Sequence, residues 1–575
     1  MSRRAIMLTR CLGLAALVCL PSAAPAAHQT PTTSPIDLTG NVPYKIGLRE
    51  VDFGAAPLPL LHSYAAGTYD GKWVLLSGRS NGVHDLAQSG QGSFPPAAQN
   101  RDVWVIDPVT KQSWHRSLGD PGTGVNDPAS GLSPFQILSL SATNNQFEQV
   151  GDRLYVSGGY GLNASNQFTT FDMLTAIDLP GMVDWVVSGS GQAVDHLRQL
   201  NTPVASVTGG AMYEMGGRMH IVFGQDFEGD YSPRSDGTYT RQVRSFDVVD
   251  DGTTLAIANV TQTTPNASYR RRDLNVIPTL RPDGADGVAE GLVALSGVFT
   301  SSFGVWTVPV EIDADGTPTM ANINAPDAFK QGFNGYHSAK LGMYSAATGV
   351  MNEVLFGGIS LQYYDQSLGQ VVTDDNMPFV NDVTSVVIDA NGDYSQHHLG
   401  FFPEIFDDQG KQWRFGANAE FFAAAGIPTF DNGVIDLDQL TGKTSLGFIF
   451  GGIATNGRHT QGNPDVTSTA SYHVFEVVYT PVPEANSLVL ALTGIGALCL
   501  ATNQRLAQRR LFGQARKDFG AAVDARPASL GGRQTGDVDG GAPSLGTESQ
   551  LNPALRATER TQRSSTFAAE SSCLV

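Results

Sequence analysis

Six times along the chain a short apolar run ends at glycine, and each time a second β-rich run follows at a variable distance. The first runs end at Ser77-Gly78, Ser157-Gly158-Gly159, Phe223-Gly224, Ser296-Gly297, Phe356-Gly357-Gly358 and Phe450-Gly451-Gly452. The followers span 102–107, 168–178, 241–249, 303–312, 381–389 and 471–479. A repeat on this scale constrains the fold more than any single residue, because each unit buries its apolar face only against its neighbours. Charged residues are 16% of the chain and glycines number 64, which suits short strands and turns rather than helical bundles.

Each unit divides into four strands, A to D. In the first, residues 62–66 form A, Asp70-Gly71 turns, 73–77 form B, 103–106 form C, Asp107-Pro108 turns, and 113–118 form D. The C–D turns recur as Asp250-Asp251-Gly252, Asp313-Ala314-Asp315-Gly316 and Asp389-Ala390-Asn391-Gly392. Asp, Asn and Gly tolerate the left-handed backbone of tight hairpins. Asp389-x-Asn391-x-Asp393 also has the opening spacing of a calcium loop, but the sixth-position glycine and closing glutamate are missing. Four-stranded antiparallel units around an axis make a β-propeller. The expectation is an all-β, six-bladed propeller over residues 43–480. The sixth unit runs into Pro481-Val482-Pro483, which disfavours a D strand of its own. Residues 43–51 precede the first A strand and are expected to supply it, so that an N-terminal strand closes the last blade.

The paired glycines, the His62-Ser63 and His337-Ser338 openings, and Asp102-Val103-Trp104-Val105-Ile106-Asp107 with Trp114 beyond resemble kelch repeats. The resemblance covers roughly residues 44–480. Units here are longer than the kelch length of about 50 residues, and units three and four lack the second glycine.

Arg3, Arg4 and Arg10, an apolar run over 11–20 and Ala24-Pro25-Ala26 make a secretory signal over 1–27, followed by a linker over 28–42. Cys11, Cys19, Cys499 and Cys573 all lie outside the repeat, so the body has no disulfide framework, no cysteine metal site and no cysteine nucleophile. A net charge of −19 excludes a basic nucleic-acid face and docking on anionic lipid.

Beyond the repeat, Pro483-Glu484, an apolar run over 488–501 and Arg505, Arg509 and Arg510 resemble a PEP-CTERM sorting signal over 481–510. That resemblance implies an exosortase-type processing enzyme, a transient single-pass inner-membrane stage with the arginines cytoplasmic, and delivery to the cell surface or extracellular matrix. The Gly-, Ala-, Ser- and Arg-rich stretch 511–575 is expected to be a disordered tail.

In such a blade the B–C and D–A connections emerge on one face. The extra length of this chain falls there: B–C loops over 79–101, 225–240, 359–380 and 453–470, and D–A linkers over 119–136, 261–275 and 400–418. Long loops on a rigid scaffold commonly carry binding function. The candidate binding residues on that rim are Asn81, His84, Asp226, Tyr231, Arg270, Arg271, Arg272, Tyr363, Tyr364, Asp374, Trp413 and Arg414. Aromatic rings with Asp, Asn and Arg suit an exopolysaccharide or a matrix-protein partner. No catalytic, cofactor or metal motif stands out: no Asp box, no Gly-x-Ser-x-Gly elbow, no His-Glu-x-x-His pair, and no cysteine for a galactose-oxidase-type centre. The alternative is a polysaccharide hydrolase or lyase working with carboxylates from distant blades, which leave no local motif.

Overall fold

The computed structural model describes residues 32–482, except 86–87, 233–236, 285–286, 303 and 461–466. The secretory signal, Pro483, Glu484, Arg509, Arg510 and the tail lie outside the described residues. Among those described, no helix is long and apolar enough to cross a membrane.

The chain forms an all-β propeller of antiparallel four-stranded blades. In the first blade Ala65–Tyr69, Lys72–Leu76, Asp102–Asp107 and Gln112–Ser117 pair in order. The second runs through Gln146–Val150, Arg153–Ser157, Met173–Asp178 and Leu197–Asn201, and the third through Ala211–Met215, Arg218–Val222, Val243–Asp250 and Leu255–Gln262. The fourth uses Asn275–Asp283, Gly287–Leu295, Val310–Asp313 and Pro318–Met320. The last blade runs Arg414–Ala423, Thr444–Thr455, Val474–Pro481 and then Tyr44–Glu50 from the N-terminal end.

The expectation of six blades needs correction: five are four-stranded blades, the last of them with Ser468–Ala470 added beside Thr444–Thr455, and the sheet between the fourth and the last has six strands. Its antiparallel centre is Ala339–Ser345, Val350–Ile359, Phe379–Ile388 and Tyr394–Phe401. Ile36–Asp37 and Ile435–Asp436 add to its two edges in parallel, which covers backbone groups that would otherwise template another chain.

Tyr44–Glu50 pairs with Val474–Pro481 over seven residues, from Tyr44 opposite Pro481 to Glu50 opposite Phe475. The first and last blades also pack face to face: Trp73 stacks on Phe422 at 4.6 Å between ring centroids, and Tyr64 donates to the Phe450 carbonyl at 2.8 Å. The core therefore lies between neighbouring sheets, in separate apolar clusters rather than one.

Several boundaries shift from expectation. His62 lies before its strand, the second follower splits into Phe168–Thr170 and Met173–Asp178, and the fourth shrinks to Val310–Asp313. Nor is all the elaboration on one rim. The C–D connection of the second blade holds the helix Leu179–Ser188. Asp178 caps it by accepting the Gly181 N–H, and left-handed Gly189 ends it. Its apolar face (Leu179, Met182, Val183, Trp185, Val186) is buried between the first two blades. The connection from Arg414–Ala423 to Thr444–Thr455 is also long, because it carries the added edge strand Ile435–Asp436.

Candidate functional site

Each of the six apolar runs ends in two consecutive residues of left-handed backbone, with φ between 55° and 101°: Ser77-Gly78, Gly158-Gly159, Phe223-Gly224, Ser296-Gly297, Gly357-Gly358 and Gly451-Gly452. The second is always glycine, which alone adopts this conformation without steric cost. The turn aims its N–H at the segment entering the next sheet. Gly78 donates to the Ala142 carbonyl at 3.0 Å, and Gly159, Gly224 and Gly452 donate to Val207, Arg271 and Leu61 at 2.9 Å each.

A second left-handed residue stands where the chain enters each sheet: Ser63, Asn144, Gly209, Asp273, His337 and Asn418. These six join into a ring around the axis. The N–H of Asn144 donates to Ser63, Gly209 to Asn144, Asp273 to Gly209, Asn418 to His337 and Ser63 to Asn418, over 2.6–3.2 Å. At the remaining junction the His337 ring Nδ1 lies 3.8 Å from the Asp273 carboxylate.

The ring lines a cavity of about 320 Å³. The residue just after each glycine pair also faces it: Arg79, Tyr160, Gln225, Val298, Ile359 and Ile453. Single backbone bridges hold them in place, His62 to Arg79, Thr143 to Tyr160, Thr208 to Gln225, Arg272 to Val298 and Tyr336 to Ile359. The B–C connections add Val83, His84, Phe94, Phe227, Tyr231, Phe299, Met377, Phe379 and Arg458. So B–C and D–A connections do meet on one side of the molecule.

Electrostatically the wall is unusual. Burial, reinforced by Arg79, pushes His62 down to about 3 and His84 down to about 4, so both rings are neutral at pH 7. Burial also lowers Arg79 to about 10, which still leaves it charged. His84 stacks on Phe94 at 5.2 Å and meets Tyr231 edge-on at 4.9 Å. Burial lowers His337 as well, against the opposing pull of Asp273.

The expected rim residues separate into three groups. His84, Tyr231 and Arg272 line the cavity. Asn81, Tyr363 and Asp374 stand one layer behind it: Asn81 accepts from Arg79 Nε at 3.1 Å, Tyr363 lies under the Arg458 guanidinium at 3.8 Å, and Asp374 holds His459 at 2.9 Å. The other six serve packing. Arg270 sits over Tyr239 at 4.1 Å, while Arg271 is fully buried and donates to the Ser296 and Val308 carbonyls at 3.1 and 2.8 Å. Asp226 is half-buried, its carboxyl raised by burial. Tyr364 packs on His398, the Trp413 carbonyl accepts from Asn381, and Arg414 donates to the Gln412 carbonyl. Arg79, Arg458, His62, Tyr336 and His337 were missed as site residues. For Arg79, His62, Tyr336 and His337 the signal is position beside a glycine pair or a strand opening, whereas Arg458 lies inside the long B–C loop 453–470.

No protein-family model and no curated protein matches this sequence. Among solved structures, that of YjhT is similar in chain course, with a TM-score of 0.36 at 11% identity over 74% of this chain and 98% of YjhT. The propeller assignment rests on the sheets themselves, and no residue role is carried over from YjhT.

Chemically, the cavity offers aromatic faces, neutral imidazoles and guanidiniums. Among the described lining residues Asp273 is the one carboxylate, and it lies 3.6 Å from Arg272 Nε. The Asp389 carboxylate, in the calcium-like turn, accepts the N–H groups of Asn391 and Asp393 at 2.8 and 3.0 Å, as a hairpin turn requires.

Proposed function

We propose that this protein is an exported, surface- or matrix-associated binding protein that takes a saccharide at the central cavity on its long-loop face. A kelch-type ring, six-bladed when the six-stranded sheet counts as a blade, is the scaffold. A PEP-CTERM-like segment with exosortase-type processing is the route of delivery. The observation that carries the binding reading is convergence. Residues entering every sheet, and the residue after every glycine pair, meet in one small cavity with aromatic walls and a few directed polar groups, the usual make-up of a ligand site. A glycan array run beside a reducing-end assay tests it. Retention of a saccharide without release of new reducing ends is the expected result, and retention of none removes the reading.

The second reading is an enzyme acting on the same polymer. Its support is the His459–Asp374 pair at 2.9 Å on the cavity wall, where a carboxylate orients an imidazole for proton transfer. An eliminase would use such a base, whereas a two-carboxylate hydrolase would not. Release of unsaturated products, followed by the ultraviolet absorbance of the conjugated acid, distinguishes it from pure binding.

A further inference from the structure

The charge of the cavity runs against that of the whole chain. The protein carries −19, yet among the described residues three guanidiniums (Arg79, Arg272 and Arg458) line the cavity with Asp273 as the single lining carboxylate. Arg79 is 3% exposed. Its contacts hold it without neutralising it: Nε donates to Asn81 at 3.1 Å, Nη2 donates to the Pro95 carbonyl at 3.2 Å, and the group lies 4.9 Å over Phe94. Arg458 lies over the Tyr363 ring. Among the described residues neither Arg79 nor Arg458 forms an ion pair with a carboxylate. Removing a charge from water without a counter-charge is costly, and Arg79 is held that way in the cavity wall, with half-exposed Arg458 also lining it. Four neutral polar atoms of lining residues are also unsatisfied among the described residues: Thr143 Oγ1, on a residue 2% exposed, His62 Nε2, His84 Nε2 and Asn144 Oδ1 have no hydrogen-bond partner.

Size narrows the ligand. A volume of about 320 Å³ lies at the small end of ligand pockets. That is room for one sugar unit rather than a stretch of polymer.

From these observations we infer that the cavity binds a single anionic sugar unit, its carboxylate or sulfate set between Arg79 and Arg458 and its ring against the Phe94, Tyr160 and Tyr231 wall. Guanidiniums match both oxyanions as planar two-pronged donors. The neutral imidazoles and Thr143 then face sugar hydroxyls. This inference rests on the saccharide-binding reading above and adds the charge, the size and the two residues.

Calorimetric titration of the full chain tests it with three trisaccharides of one backbone: uronate-terminated, sulfate-ester-terminated, and the uronate reduced to its neutral alcohol. The expected result is that one or both anionic forms bind at least about tenfold tighter than the neutral form, and that Arg458→Gln lowers anionic affinity by more than it lowers neutral affinity, so that this margin disappears. Arg79→Gln should act in the same way, and half-exposed Arg458 keeps the test valid if Arg79→Gln fails to fold. Equal binding of neutral and anionic forms overturns the anionic inference and leaves saccharide binding standing. An anionic margin that survives Arg458→Gln overturns the placement of the charge. No binding by any of the three overturns both readings.

Discussion

Replacing Gly158 by alanine probes the turn that joins one sheet to the next. Two terms act. The backbone at Gly158 has φ +66°, and an L residue in that region costs roughly 1–2 kcal/mol. A Cβ there would also meet the Val207 carbonyl oxygen inside any allowed separation, with the Ala205 carbonyl oxygen only 2.6 Å away. Both are backbone atoms, so no rotamer change relieves the contact, and forcing a methyl into packed structure typically costs about 1–3 kcal/mol more. The stiffer unfolded chain returns about 0.4–1 kcal/mol. The net loss is about 1–5 kcal/mol. Gly151 is the internal control. Its φ is +56° and a Cβ there meets nothing within 4 Å, so Gly151→Ala carries only the backbone term, a net of about 1 kcal/mol or less. Guanidinium unfolding of both variants, compared at equal m, isolates the contact at the junction. If the two lose the same stability to within about 0.5 kcal/mol, the close approach between sheets is not what fixes glycine there.

Deleting residues 40–52 should unfold the propeller in one cooperative transition, because it removes the strand paired with Val474–Pro481 and the buried Tyr44 and Ile46; a melting curve unchanged from the parent would refute this closure. Glu148→Gln should change the alkaline limb of stability. Burial raises the Glu148 carboxyl to about 8, above its unfolded value of about 4.5, so its contribution is full below pH 4.5 and is lost as pH rises towards 8. Thermal melts from pH 5 to 9 should be flatter in the variant, and parallel curves would count against it. His84→Phe should act on the acid limb. A ring that stays neutral down to about pH 4 costs stability as the unfolded imidazole takes up a proton below about 6.5, so the variant should lose less stability than the parent between pH 7 and 4.

The scaffold was legible because it depends on a backbone constraint that few residues meet. Two successive left-handed positions require glycine at the second, so the repeat announced itself six times. The missing strand was legible for a similar reason, since Pro481 and Pro483 leave no partner downstream. Individual site residues were less so. Loop length led to Arg270, Arg271 and Trp413, which fold back into packing, and passed over Arg79, the residue next to a marked glycine. The side on which a loop residue ends depends on contacts such as Arg271 to Val308, which sequence spacing does not encode. The helix Leu179–Ser188 escaped because ten residues of mixed β-branched and apolar character resemble a strand as easily as a helix.

The ring of left-handed residues has a consequence for redesign. Five of its six links use only N–H and carbonyl groups, so they are indifferent to what those positions display, while the sixth runs through the His337 and Asp273 side chains. Five residue types, from serine to histidine, already share one geometry at the six positions. Ser63, Asn144, Gly209 and Asn418 thus form an interchangeable socket, in which exchanges among Asn, Asp and Gly should retune selectivity while the joinery stays as it is.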